Sequence, residues 1–366
     1  MNKIPKILFV TRDDGGCGFY RCQQPANFIR RMGLAETTVK LRSATEAELL
    51  AADLVILQEM GSVSASDTAQ FCLASHIPYI SEVDDFLHHV SPHNTAGYPA
   101  WNPSTLYVHR SMQQISSGMA LTVSTDALAR EYFPYQPLIY IVPNFLDEEL
   151  WKNPVIRHSD GKIRIGWAGG NAHADDLKMI GKALEKLVKE FKGKVIFETM
   201  GMTKAELAGV FPMTELGQAC PSCGYEGELH HYPGESLKDY PMVLASKGWD
   251  IAVAPVISNA FGNTKSDIKI KEYAAIGVPV VASSIAPYRD AARDGAQIAF
   301  ASSFEEWYNE LKTLIKSPKK RGQMARLNRE WVAKYWIADN ARHIFGVYSQ
   351  ILARAESLLG PRPEKK

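Results

Sequence analysis

The residues most able to do chemistry together lie in Phe261-Gly-Asn-Thr-Lys-Ser-Asp-Ile-Lys-Ile-Lys-Glu-Tyr-Ala-Ala-Ile-Gly-Val-Pro-Val-Val-Ala-Ser. An apolar run, Asp250 to Val256, leads into a polar loop, and helical character begins near Ser266 or Asp267. Gly277 is placed to end that helix before the next apolar run. A loop that opens a helix presents N–H groups without intrahelical partners and a partial positive charge, which suits phosphate. Lys265 adds a full charge at that mouth, beside Ser266 and, one turn on, Lys269. Glu272 falls about one and a half turns into the helix, where a carboxylate can accept hydrogen bonds from the paired hydroxyls of a ribose. The competing reading makes Lys265, Lys269, Lys271 and Glu272 a solvated face and Ser266 a plain N-cap.

Other candidates lie nearer the N-terminus. Asp13-Asp-Gly-Gly-Cys-Gly-Phe-Tyr-Arg is a Gly-rich turn directly after an apolar run. Gly16 and Gly18 allow close approach of backbone to a ligand, and Arg21 can reach a phosphate or form a structural ion pair. A dinucleotide fingerprint G-x-G-x-x-G would align as Gly16, Gly18 and Arg21, and the arginine in third place argues against it. Ser81-Glu-Val-Asp-Asp-Phe closes another apolar run and puts two carboxylates together. Asp84 is a candidate to orient an acceptor or take its proton, and Asp85 a candidate loop brace. Cys220-Pro-Ser-Cys, followed by His230 and His231, offers four ligands for a structural zinc, with a reduced thiol pair as the alternative. Lys316, Lys319, Lys320, Arg321, Arg326 and Arg329, followed by Trp331, Tyr335 and Trp336, form a basic run that could lie on anionic lipid or nucleic acid, or be a solvated face with its aromatics in the core.

The elements that must hold these residues alternate. Short β-branched runs at Ile7, Asp53, Pro78, Ala120 and Ile139 are separated by helical stretches, and the pattern restarts at Lys162-Ile-Arg-Ile-Gly-Trp-Ala-Gly-Gly. The following helix carries Leu177, Ile180, Leu184, Leu187 and Phe191 at steps of three and four. Further strands are predicted from Val195, Asp250, Pro279 and Gln297, then three helices from about Phe304. Alternation of this kind gives parallel sheets in α/β domains. A length of 366 residues fits two such domains. The polar stretch from Pro143 to Lys162 places the boundary near residue 157, with a C-terminal domain over 158–335, a last helix over 336–357 and a disordered tail at 358–366.

Lys and Arg number 41 against 40 Asp and Glu, so no global field attracts duplex nucleic acid or a membrane, and any anion must be met by a local site. Five cysteines over this length argue for a reducing compartment. No apolar run is long enough to cross a bilayer or form a secretory signal, and the expectation is a cytoplasmic protein.

Glu272-Tyr-Ala-Ala-Ile-Gly-Val-Pro-Val-Val-Ala resembles the donor-binding signature of glycosyltransferase family 4 and its relatives, a Glu-Ala-Met-Ala-x-Gly-x-Pro-Val-Val-Ala-like segment. The resemblance implies a GT-B fold: two Rossmann-like domains facing a cleft, with C-terminal helices returning to the N-terminal domain. It gives Glu272 the ribose of a nucleotide-diphosphate sugar and Lys265 its diphosphate. The family commonly has a second Glu eight residues earlier, contacting the sugar; here that position is Thr264. This is similar to a bacterial and phage subset with a Lys-Ser-Asp-x-Lys variant. Thr122-Val-Ser-Thr and Ile141-Val-Pro-Asn-Phe-Leu-Asp resemble the family's late N-domain segments. Ile165-Gly-Trp-Ala-Gly-Gly-Asn-Ala-His resembles the opening of its donor domain, which makes Gly169, Gly170 and His173 candidate donor contacts. His230-His-Tyr-Pro-Gly resembles the strand leading to the nucleobase pocket, and Asp84 stands where many members have the His of a His-Asp pair.

The resulting expectation is a glycosyltransferase, retaining by resemblance, that needs no cofactor because the loop and helix can neutralise a diphosphate leaving group. A UDP-sugar or related nucleotide sugar is its expected donor. The acceptor is left open among a glycan, a lipid-linked glycan and a modified base in DNA. The rival is a non-catalytic nucleotide- or zinc-binding scaffold of the same fold.

Overall fold

The computed structural model describes residues 4–58, 61–90, 92, 97–152, 156, 158–203, 207, 219–220, 225–226 and 229–359. The N-terminal strands are β1 (Lys6–Thr11), β2 (Glu36–Leu41), β3 (Leu54–Gln58), β4 (Tyr79–Val83), β5 (Leu121–Val123) and β6 (Ile139–Ile141). They form one parallel sheet in the order β2-β1-β3-β4-β5-β6. β7 (Ile163–Ala168) and β8 (Val195–Met200) follow, then a two-stranded hairpin of β9 (Ala219–Cys220) and β10 (Tyr225–Glu226). With β11 (Leu229–Tyr232), β12 (Ile251–Ala254), β13 (Val280–Ser283) and β14 (Ile298–Ala301), the second parallel sheet runs β11-β8-β7-β12-β13-β14.

Both sheets bury both faces, which is why their central strands read as continuous apolar runs. All five residues of β3 and all six of β8 are buried. In the C-terminal domain the helices Ala174–Glu190 and Phe304–Lys316 pack on one face and Tyr240–Ser246, Ile268–Ala275, Ala286–Arg293 and Pro318–Val332 on the other. Leu177, Ile180, Leu184 and Leu187 all point inward, as their spacing predicts. β2 is the strand the sequence conceals: Glu-Thr-Thr-Val-Lys-Leu is an edge with only Thr37 buried, so it carries no apolar run.

The chain crosses between the domains twice, at Leu146 and again at Trp336. Leu146 and Trp151 join the C-terminal core, while Ile337, Ala341, Ile344, Tyr348 and Ile351 of the last helix (Ile337–Leu359) join the N-terminal core with Ile7, Phe9 and Ile29. The two crossing segments pair: Leu146 N–H donates to Tyr335 C=O at 2.9 Å and Ile337 N–H to Leu146 C=O at 2.8 Å. The last helix runs to Leu359, two residues past its expected end, so the tail expected over 358–366 does not begin before residue 360; residues 360–366 and the boundary residue 157 lie outside the described residues.

The three arginines of the basic run make contacts within the domain. Arg321 donates to the carbonyls of Leu314 and Ile315, Arg329 to that of Ile276, and Arg326 pairs with Glu330. Trp331 and Trp336 are buried, and the Trp331 and Tyr335 side chains both donate to Asp294. The aromatics are therefore core, as the solvated-face alternative has them. Among the described residues no helix is long and apolar enough to cross a membrane.

Candidate active site

In a doubly wound sheet, ligands bind beyond the carboxyl ends of the strands where the strand order reverses. Here those points are β1/β3 in one domain and β7/β12 in the other, and the loops that leave them face each other. Between them lies a cavity of about 450 Å³. Its lining includes Gly16, Asp84, Gly169, His173, Lys265, Ser266, Lys269 and Glu272 from the sequence reading, together with Tyr20, Asp85 and Tyr240. Gly170 and Gly18 are not in that lining. Gly18 has a local role: a Cβ there would stand 1.9 Å from the Asp13 carbonyl, so the tight turn admits no side chain.

The helix that carries Glu272 is Ile268–Ala275, with Asp267 as N-cap. Glu272 is 2% exposed and both its oxygens are engaged. Oε1 accepts from the Tyr20 hydroxyl at 3.0 Å; Oε2 accepts from Lys269 Nζ at 2.8 Å and the Tyr240 hydroxyl at 3.1 Å. Burial, followed by the Glu272 charge, holds both tyrosines well above the usual phenol range, so both are O–H donors. Lys269 and Glu272 therefore form an organised cluster, unlike the solvated face that was the competing reading.

Lys265 Nζ lies 3.3 Å from Asp85 Oδ1, across the cleft, and 4.3 Å from the centre of the Phe261 ring. Burial works against the ammonium, but the surrounding groups, Asp85 first and then Cys17 and Asp176, together hold Lys265 above the usual ammonium range, while burial pushes the Asp85 carboxyl up. Asp85 is thus a bridge between domains as well as part of its own loop. Asp84 is 8% exposed and lines the cavity beside it. Opposite, His173 Nδ1 is 2.8 Å from Asp176 Oδ2, while Asp176 Oδ1 accepts from Ile257 N–H at 2.7 Å. Asp176 ties the opening of the helix Ala174–Glu190 to the loop after β12 and fixes the imidazole on the cavity wall.

Arg21 does not reach the cleft. It is 3% exposed; its Nε is 2.7 Å from Glu82 Oε1, and Nη1 donates to Val142 C=O at 2.6 Å and Asn144 Oδ1 at 2.8 Å. The reason is local: Phe19–Gln23 is one π-helical turn, closed by Gln24 N–H to Phe19 C=O. Its wider turn sends Tyr20 across the cleft and Arg21 into its own domain. The structural ion pair is the correct reading, and the phosphate-reaching one is not.

Lys271, grouped with the solvated face by sequence, is fully buried. Its ammonium donates to Asp267 Oδ1 at 2.7 Å and to the Asn144 carbonyl at 3.0 Å, with the Tyr335 ring centre at 4.0 Å. It fastens the Glu272 helix to the crossing segment. Tyr20, Tyr240, Asp176 and Lys271 escaped the sequence reading because each finds its role through a partner remote in the chain or on another element; only the aromatic after the Gly-rich turn was a visible cue.

The expected zinc ligand set, Cys220, Cys223, His230 and His231, falls only in part on the described residues. Adjacent residues of a strand face opposite sides, so His230 and His231 of β11 diverge. His230 Nδ1 is 3.4 Å from the buried Glu198 carboxylate. Cys220 lies in β9, and Cys223 lies outside the described residues.

No protein-family model and no curated protein matches the chain. Solved structures do match. HepE of Anabaena, solved with UDP and glucose, is 14% identical over 94% of this chain and 99% of that one, with a TM-score of 0.68. Sucrose-phosphate synthase of Thermosynechococcus elongatus is 9% identical over 96% and 100%, at 0.69. An alpha-glucosyltransferase solved with UDP is 11% identical over 96% and 100%, at 0.64.

The fold is GT-B. The two parallel six-stranded sheets, the cleft between them and the returning C-terminal helix all follow that plan. At these identities the likeness is one of fold, and what the GT-B cleft of this chain does must be argued from its own residues.

Proposed function

We propose that this chain transfers a sugar from a nucleotide-diphosphate sugar to an acceptor. The observation that carries the reading is the convergence of Glu272, Lys265 and the start of the helix Ile268–Ala275 on one interdomain cavity. That set offers a buried carboxylate for two ribose hydroxyls and a charged lysine with helix N–H groups for a diphosphate. Gly169 and Ser266 line the same wall and His173 presents a fixed imidazole to it. HepE was solved with UDP and with UDP-glucose and the alpha-glucosyltransferase with UDP, which favours a uridine nucleotide as the first donor to test.

In the reaction, an acceptor oxygen forms a bond to the anomeric carbon as the bond from that carbon to the diphosphate breaks. The nucleoside diphosphate leaves with the electron pair. Lys265 and the helix start meet the developing charge, so the step is proposed to need no divalent ion. Asp84, which lines the N-terminal side of the cavity, is the residue proposed to orient the acceptor or take up its proton. Retention at the anomeric carbon is part of the same proposal, carried by the Glu272-Tyr-Ala-Ala-Ile-Gly-Val-Pro resemblance alone. The neighbour solved with a 13-mer DNA containing a HMU base keeps a DNA base among the acceptors to assay, beside glycans and lipid-linked glycans.

A thermal-shift screen against nucleotides and nucleotide sugars tests the reading. A selective nucleoside diphosphate or its sugar raises the transition by mass action, and Glu272→Ala abolishes the rise. No stabilisation by any nucleotide refutes it. Turnover that survives EDTA supports the metal-free step, and its loss refutes that part.

A further inference from the structure

We propose that in the ligand-free molecule Tyr20 and Asp85 stand in for the donor, the first for a ribose hydroxyl and the second for the diphosphate, holding the cleft closed until a donor displaces them. The inference rests on the donor reading above and deepens it. Its ground is the pairing of chemistries. The Tyr20 hydroxyl gives Glu272 Oε1 the kind of hydrogen bond that a ribose hydroxyl would give, at 3.0 Å. The two oxygens of Asp85 give Lys265 the kind of anionic contact that a phosphate would give, at 3.3 and 3.4 Å. Both stand-ins come from the N-terminal domain, both recognised groups from the C-terminal one, and all four line the same cavity.

The physical logic is one of satisfaction. Glu272 is nearly inaccessible, and a buried carboxylate or ammonium without partners is costly. When the product leaves, Tyr20 and Asp85 supply the missing partners, so the empty cleft closes on itself. A donor must exchange these contacts for its own. Its apparent affinity is then its intrinsic affinity reduced by the fraction of molecules in which the groups are uncovered. The π-helical turn that aims Tyr20 outward while Arg21 anchors the same segment to Glu82 gives the stand-in a rigid mount.

The decisive experiment is calorimetric titration of the full chain with UDP and uridine, and in parallel with GDP and ADP. If Tyr20 competes with the ribose, Tyr20→Phe binds both nucleoside and diphosphate about tenfold more tightly, the size of one hydrogen bond to a charged group. The gain disappears in Glu272→Gln. If Asp85 competes with the diphosphate, Asp85→Asn tightens the diphosphate and leaves the nucleoside unchanged. The thermal transition of each variant verifies folding, and Asp85→Asn carries the test alone should Tyr20→Phe not fold. Unchanged or weaker binding by the folded variants, with the wild type binding normally, overturns the stand-in and leaves the donor reading intact. Failure of the wild type and every variant to bind any nucleoside diphosphate overturns both.

Discussion

At the residue scale, function and stability fall on adjacent side chains. Glu272→Ala removes the carboxylate proposed for the ribose, and UDP affinity measured by calorimetry should fall about thirtyfold to a hundredfold, as for the loss of hydrogen bonds from two ribose hydroxyls to a charged group. Lys265→Gln should weaken UDP by a similar factor while leaving uridine binding unchanged, because only the diphosphate uses that charge. Arg21→Met acts differently: it strands Glu82, 1% exposed, without its cation. Urea denaturation should show a loss of about 3–5 kcal/mol, the cost of breaking a buried ion pair from one side. His88 supplies a pH-dependent term. Burial pushes its imidazole down to about 4, so the folded protein holds it neutral while the unfolded chain titrates near 6.5. Its contribution is complete above pH 6.5 and is lost as pH falls toward 4, by up to about 3 kcal/mol. His88→Phe should flatten the stability profile over that window, read from urea midpoints at successive pH values.

At the element scale, the helix Ile268–Ala275 is where sequence and structure agree most closely. Its polar loop, its N-cap within a residue or two of Ser266 and its stop at Gly277 were all legible, because each depends on local chain chemistry. Gly277 adopts φ +69°, and a Cβ there would meet the Arg329 guanidinium at 2.2 Å. Gly277→Ala should therefore cost at least about 1 kcal/mol, from strain at positive φ and from displacement of that arginine, measurable as a lowered urea midpoint. Partners were not legible. Glu272 meets Tyr20 from 252 positions away, and Arg21 finds Glu82 over 61, separations that no local pattern encodes. β2 was hidden for a complementary reason: an edge strand exposed along most of its length has no apolar run to betray it. The π-helical turn at Phe19–Gln23 left a Gly-rich signature, but which of Tyr20 and Arg21 faces the cleft is set by that extra backbone residue per turn.

At the scale of the whole molecule, two domains share one joint. Lys271 lies at it, buried between Asp267 and the Asn144 carbonyl, and Asn144 in turn accepts from Arg21. Lys271→Met should keep the helix but loosen the joint, seen as faster hydrogen exchange around Leu146 and Ile337 with the two sheets still protected. On a body of near-zero net charge any anion must be met by a local site, and the proposed one is the cleft at two strand-order reversals. The paired crossing at Leu146 and Ile337 has a further consequence, in the order of synthesis. The N-terminal sheet is made before the second one, yet its core includes Ile337, Ile344, Tyr348 and Ile351, which leave the ribosome after both sheets. A nascent chain halted at residue 336 should thus present an N-terminal sheet with one face only partly covered, by the helix Gln24–Arg31, and sensitive to protease, beside a C-terminal domain already able to fold. The half of the molecule that is born first is completed last.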